Sequence, residues 1–260
     1  MKSSLRSTQT VQFLAHLHRT LKTREGQDVV LLFAGEAMRL VTFIMDFLTS
    51  YLRKIRLNKD SRLSKLLPQT SRIQSLSNST NRAADCSRAL MAMLEEWQVM
   101  NRLWGVLDMW MAARGLITQL RAKRSAGESI RKIDVFIQAS QALCLTSFHV
   151  SEALGFLSSK GIAKRSPKTE EKLTFLAIRS WAAFTLIEIG RLSLDWVQTT
   201  GDKSGDWKMR WKKDILQNLA WMSVASHWSL RQGFLPEACV SPLSVFATWS
   251  LVKDAWAVSA

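Results

Sequence analysis

Apolar residues recur every three or four positions along most of this chain, and that spacing predicts helices. A short amphipathic helix is predicted from Thr10 to Lys22, through Val11, Phe13, Leu14, Leu17 and Leu21, with Gly26 breaking it. Residues 28–57 read as one long helix. Its apolar face carries Val30, Phe33, Ala37, Leu40, Ile44, Phe47, Tyr51 and Ile55, and its polar face carries Glu36, Arg39, Thr42, Asp46, Thr49 and Arg53. Residues 58–81 read as a polar, basic connector ending in a Ser/Asn run, Ser75 to Asn81, of the kind that starts helices rather than fills them.

A second long helix is predicted from Arg82 to Lys123. Its stripe is Cys86, Leu90, Met93, Trp97, Met100, Trp104, Leu107 and Met111, at alternating steps of four and three, which is a heptad seam. Two readings of the stripe stand open. One is an internal helix–helix seam; the other is a face that enters a membrane interface or self-associates. Trp97 and Trp104 suit a boundary that is apolar on one side and wet on the other.

The third segment, 130–159, holds 17 residues without a formal charge between Asp134 and Glu152, just short of a spanning run. Thr169 then caps a helix with Glu170 and Glu171 in its first turn, running to about Gln198. Two more uncharged runs, 215–230 and 238–252, are joined by a link containing Gly233 and Pro236. Trp221, Trp228, Trp249 and Trp256 lie near their ends. They read as an apolar hairpin, either buried in a soluble bundle or set in a membrane. The expected fold is all-α: long amphipathic helices plus a C-terminal apolar helical hairpin, membrane-associated. It forms one domain over 1–260, with amphipathic helices in 1–125, an apolar helix at 130–159, a helix at 169–199 and the hairpin at 206–257.

Charge sharpens this picture. The 260 residues carry a formal +15, and four windows (53–72, 121–132, 160–172 and 203–213) hold +17 of it. The cations expected to face lipid are Arg53, Lys54 and Arg56 in the first window and Lys208, Arg210, Lys212 and Lys213 in the last. Near-neutral apolar helices joined by basic connectors suit an acidic phospholipid surface, where each Lys or Arg contributes about 1 kcal/mol. A solvated surface and nucleic acid are the alternatives. The aromatics lie in the apolar segments and not among the cations, which counts against base stacking, so no nucleic-acid partner is expected.

An apolar content of 47% excludes a disordered chain. Cys86, Cys144 and Cys239 are too far apart for a disulfide framework or a zinc ribbon. The opening Met1-Lys2-Ser3-Ser4-Leu5-Arg6 lacks the apolar core of a secretory signal. There is no phosphate-binding glycine loop, nucleophile elbow or zinc-helix motif. His16 and His18 diverge on a helix, as do Glu95 and Glu96. His149 and His227 read as hydrogen-bonded core histidines. No catalytic function, metal or other cofactor is expected.

The stretch Leu219 to Leu235, with Trp221, His227-Trp228-Ser229 and Gly233-Phe234-Leu235, resembles the C-terminal signature of the peroxisomal biogenesis factor 11 (peroxin-11) family. The final helix to Trp256, with Trp249 in its middle, and the Gly26-Gln27-Asp28 opening before an apolar helix carrying Arg39 are similar to that family's ends. The helix around Arg179-Ser180-Trp181 to Gly190-Arg191-Leu192 is similar to its penultimate block. Pro242, Val245 and Phe246 stand where the family's last helix is rich in glycine. The nearest match is the divergent fungal C-type branch. The resemblance implies a peroxisomal membrane protein that promotes elongation, proliferation and division of the organelle. It would insert amphipathic helices, self-associate, and work with related family members and fission machinery. The stripe Leu90, Met93, Trp97, Met100, Trp104 and Leu107 would be its membrane wedge.

Overall fold

A computed structural model describes residues 2–57, 70–127, 131–199 and 204–259, and the side chains of these except 2–9, 55–57 and 70–74. The described residues form eight helices and no strand: α1 (Lys2–Leu21), α2 (Arg24–Leu57), α3 (Thr70–Arg102), α4 (Gly105–Ser125), α5 (Lys132–Ser159), α6 (Pro167–Gln198), α7 (Gly205–Trp228) and α8 (Glu237–Val258). The predicted all-α class is observed. Half of the connector at 58–81, residues 58–69 with Lys59, Arg62 and Lys65, lies outside the described residues.

The chain forms two compact units, Met1–Gln98 with Pro236–Ala260, and Val99–Leu235. In the first, α2 packs along α8 and α1 closes against both. The α8 face is made of small side chains: Val240, Ser241, Ser244, Ala247 and Thr248 are fully buried. Small residues let helix axes approach closely, so serine, alanine and threonine do here what glycine would do. Phe33 of α2 meets Trp249 of α8 at 5.5 Å between ring centroids. At the end of α8, the His16 ring stacks on Trp256 at 3.9 Å and its Nε2–H donates to the Trp256 carbonyl at 2.9 Å. Thr20 and Ser259 hydroxyls share a 2.6 Å hydrogen bond beside it.

In the second unit α5 and α6 form the longest pairing, α7 packs on α6, and α4 on α5. The core holds Ile137, Ala177, Leu192, Ala220, Trp221, Val224 and Ala225. Ser166 caps α6 by accepting from the Thr169 backbone N–H, with Pro167 as its first residue. The cap therefore lies at Ser166 rather than Thr169.

Three expectations are corrected. The helix predicted from Arg82 to Lys123 is two helices, broken at Leu103–Trp104 inside the stripe. Two contacts with α5 explain the break. Arg102 pairs with Glu152 at 3.0 Å, and the His149 ring sits so close to Gly105 that a Cβ there would lie 2.5 Å from its Nδ1. The chain must turn between these two points to satisfy both. Second, the Ser75–Asn81 run is inside α3 and not a connector. The Thr80 hydroxyl bonds back to the Leu76 and Ser77 carbonyls and to Thr49 of α2, so tertiary contact overrides low helix propensity. Third, the two C-terminal apolar runs fall in different units, α7 against α6 and α8 against α2, so 206–257 is not one packed hairpin. Each run meets a better-matched face elsewhere: Trp221 of α7 packs on Trp181 of α6, and the small face of α8 takes α2. Gly26 lies inside the first turn of α2 rather than in the break.

Candidate functional site

Helices α2 and α3 meet through polar side chains. Thr49 and Thr80 share a 2.7 Å hydrogen bond, Arg88 donates to both Asp46 oxygens at 3.0 and 3.1 Å, and Arg39 reaches Glu95 at 3.3 Å. The three pairs run antiparallel along the two helices. Thr42, Thr49 and Glu36, all on the predicted polar face of α2, are buried. Ile44, Phe47 and Tyr51, on its predicted apolar face, are exposed, Phe47 to 62%. On α3 the same pattern holds: Ser87 and Gln98 are buried, whereas Leu90, Met93 and Trp97 face outward. On both helices, then, some polar side chains turn inward while large apolar ones stay exposed, against the pattern of an ordinary surface helix.

Beyond the boundary of the units, Met100, Trp104, Leu107 and Met111 are exposed as well, Trp104 to 69%. The reading of this stripe as an internal seam is therefore overturned for every described member of it. Trp110 joins the exposed set, and Arg114 lies over its ring at 5.4 Å.

Glu36 of the first unit is a buried acid. It is 7% exposed, 3.1 Å from Arg39 and beside Ser244 of α8. Burial pushes its carboxyl above the ordinary carboxylate range, and the neighbouring Arg39 charge and the Ser244 hydroxyl pull it back only in part. Sequence reading placed Glu36 on a solvated face. Its signal is the company of Thr42 and Thr49 at helical spacing, small polar groups that a polar helix contact can satisfy.

The residues that carry the family resemblance have structural tasks. His227 Nδ1 accepts from the backbone N–H groups of Phe234 and Leu235 at 2.9 and 2.8 Å, so it is hydrogen-bonded, as expected, but at the turn that ends α7. Gly233 holds φ +57°, and a Cβ there would come within 2.2 Å of the His227 ring. Trp228 packs on Trp181, and the Ser229 carbonyl accepts from the Arg179 guanidinium. His227, Trp228, Ser229 and Gly233 together close the α7 end. Trp249 and Trp256 close the first unit.

The predicted basic connectors are mostly helix ends. Arg53 and Lys54 are exposed in the last turns of α2, and Arg56 follows them in the same helix. Lys208, Arg210 and Lys212 are exposed in the first turns of α7, with Lys213 half-buried. Lys203 and Gly201 lie outside the described residues. By length and composition one described helix, α6, suffices to cross a bilayer, and 17% of its apolar window is buried. The expected sites for membrane residence were the C-terminal runs and 135–151; hydroxyl, amide and proline residues dilute the former and polar side chains the latter. Among the described residues, no cluster of His, Cys, Asp and Glu could hold a metal ion. No protein-family model, curated protein or solved structure matches this chain.

Proposed function

We propose that this protein inserts outward apolar helix faces, among them the stripe Leu90, Met93, Trp97, Met100, Trp104 and Leu107, into an acidic membrane and so remodels it. The observation that carries this reading is the outward apolar set Phe47, Tyr51, Leu90, Met93 and Trp97, which stays exposed while α2 and α3 are linked by polar side chains, Thr49 to Thr80 and Arg39 to Glu95. Covering a half-exposed side chain of this size stabilises the bound state by roughly 1 kcal/mol, so five offset the cost of immobilisation. A wedge in one leaflet expands it and favours curvature. The cations at the ends of α2 and α7 supply attraction to acidic headgroups. With the resemblance to the peroxin-11 family, the membrane is the peroxisomal one, and the outcome is elongation and division of the organelle. Self-association through the same stripe, together with related family members and fission machinery, would concentrate the wedges. The protein acts without catalysis, cofactor or nucleic acid.

The test is the Trp97→Ala, Trp104→Ala double variant. It should fold, reach peroxisomes, tubulate vesicles weakly and leave the organelles short. Full elongation activity in that variant, or absence of the tagged wild-type chain from peroxisomes, sinks the proposal.

A further inference from the structure

One end of the second unit is unlike the rest of its surface. The start of α5, the end of α6 and the start of α7 come together there, tied by a 2.6 Å hydrogen bond from Arg131 to Gln198. Three tryptophans cluster between α6 and α7: Trp196 lies 4.5 Å from Trp211 and 5.7 Å from Trp207, and Trp211 Nε1 donates to the Leu192 carbonyl at 2.8 Å. Around them Phe136, Val197 and Met209 are exposed, Met209 to 66%. Lys208, Arg210 and Lys212 point to solvent on the first two turns of α7, with Asp206 in the same turns, Asp214 next along the helix, and Asp134 and Asp195 paired to Arg131 and Arg191 at the neighbouring helix ends. Tryptophan, exposed aliphatic groups and flexible cations at one level are the composition of a membrane–water boundary.

The body behind this end has the dimensions to match. From Lys172 to Trp196 α6 rises about 36 Å, against roughly 30 Å for a hydrocarbon core. Only 17% of its apolar window is fully buried, and most of the remainder is half-buried. Leu176 and Leu186 of α6 and Leu216 and Leu219 of α7 are exposed along the way. Charged groups within the span are paired: Glu188 takes hydrogen bonds from Gln141 of α5 and from Arg191.

From this geometry we infer that α6 is the bilayer-embedded helix of the second unit, with the Trp196/Trp207/Trp211 end seated among the headgroups of an acidic leaflet. Lys208, Arg210 and Lys212 contact phosphates and carboxylates of acidic phospholipids, and the tryptophans fix the depth. The inference rests on the membrane reading above and deepens it, giving the α7 cations a built site with three tryptophans beside them. The outward stripe of α3 and α4 supplies apolar wedging; this collar supplies headgroup selectivity.

The two contacts separate in one experiment on the full chain. Wild type, a Lys208→Ala, Arg210→Ala, Lys212→Ala triple variant, and the Trp97→Ala, Trp104→Ala double variant are titrated with two kinds of vesicle. One is phosphatidylcholine alone, and the other is phosphatidylcholine mixed with phosphatidylserine. Each removed cation should cost roughly fivefold, so the triple variant should bind the acidic vesicles about a hundredfold more weakly, with binding to neutral vesicles unchanged. The tryptophan variant should lose binding to both kinds while keeping the preference for acidic lipid. An unchanged helical melt for the triple variant confirms its fold, since all three side chains are on the surface. Wild-type preference for phosphatidylserine in the triple variant overturns the collar and leaves the wedge standing. Failure of the wild type to bind either vesicle removes both readings.

Discussion

Helix α2 meets two neighbours by opposite means. Toward α8 it finds a face of small side chains, fully buried at Val240, Ser244, Ala247 and Thr248, and the contact is close packing with one ring pair, Phe33 on Trp249. Toward α3 it finds polar partners, Thr80, Arg88 and Glu95, and the contact is a ladder of hydrogen bonds and ion pairs between helices held further apart. The first contact uses apolar and small surface and leaves little of it outside. The second consumes polar surface, so the large apolar side chains of both helices are left facing out. A soluble protein gains little from the second arrangement, because surface ion pairs contribute only ~0–1 kcal/mol each. A protein that must keep apolar faces available for lipid gains a way to hold its helices together without covering those faces.

The contrast is broken most forcefully at the α2·α8 contact. Ala247→Leu adds three carbons to a fully buried position with no room for them. Overpacking of this kind costs about 3 kcal/mol, read as a lower urea midpoint at unchanged slope. At the polar contact the effects are smaller and depend on pairing. Thr49→Val removes a buried hydroxyl and its 2.7 Å bond to the half-buried Thr80 and should cost about 1 kcal/mol, whereas Thr49→Val with Thr80→Val should recover most of it. A double variant worse than the sum of its parts would mean that the ladder is not what holds α3.

Glu36 sits where the two contacts meet, and it titrates. Its carboxyl is raised above the ordinary value by burial, so the fold prefers it protonated. A group of this sign contributes its stability below the ordinary carboxyl range. That contribution is lost as pH rises through the interval up to the raised folded value, and stays lost above it. The melting temperature of the wild type should therefore fall over that interval relative to Glu36→Gln, which has no proton to release. Parallel melting curves for the two proteins from pH 4 to pH 8 would show that Arg39 compensates Glu36 fully.

The helices were largely legible in the sequence, because a spacing of three and four residues is a local property that survives any packing. The ends of α2, α5 and α6 lie within a few residues of their predicted positions. What periodicity cannot reveal is which face of a helix turns inward. It separates Ile44/Phe47/Tyr51 from Glu36/Thr42/Thr49, and the structure then buries those three polar residues while Asp46 and Arg53 of the same face stay exposed. The break at Leu103–Trp104 was equally invisible, since the heptad runs through it unchanged; its cause, Gly105 under the His149 ring, is separated by 44 residues of chain. The hairpin expectation failed for a related reason. Two apolar runs joined by a Gly/Pro link look like partners until the small face of α8 is seen to fit α2.

The smallest expected change is the most diagnostic, because it is a change in stability that should be almost absent. Phe47 stands on the outward face of α2, 62% exposed, where a core phenylalanine would cost about 3–5 kcal/mol to remove. Phe47→Ser takes an aromatic ring from a surface that nothing in the fold covers, so unfolding free energy in vesicle-free buffer should move by less than about 0.5 kcal/mol. Binding to acidic vesicles should nonetheless weaken severalfold, since the same ring would have been covered by lipid. The two measurements must diverge for the outward apolar set of α2 to be functional. If Phe47→Ser destabilises the free protein by several kcal/mol, the outward face is covered in solution by a second copy of the chain, and a concentration-dependent melting temperature would identify that contact. If neither stability nor vesicle binding changes, the α2 face contributes nothing to the membrane, and the wedge is confined to α3 and α4.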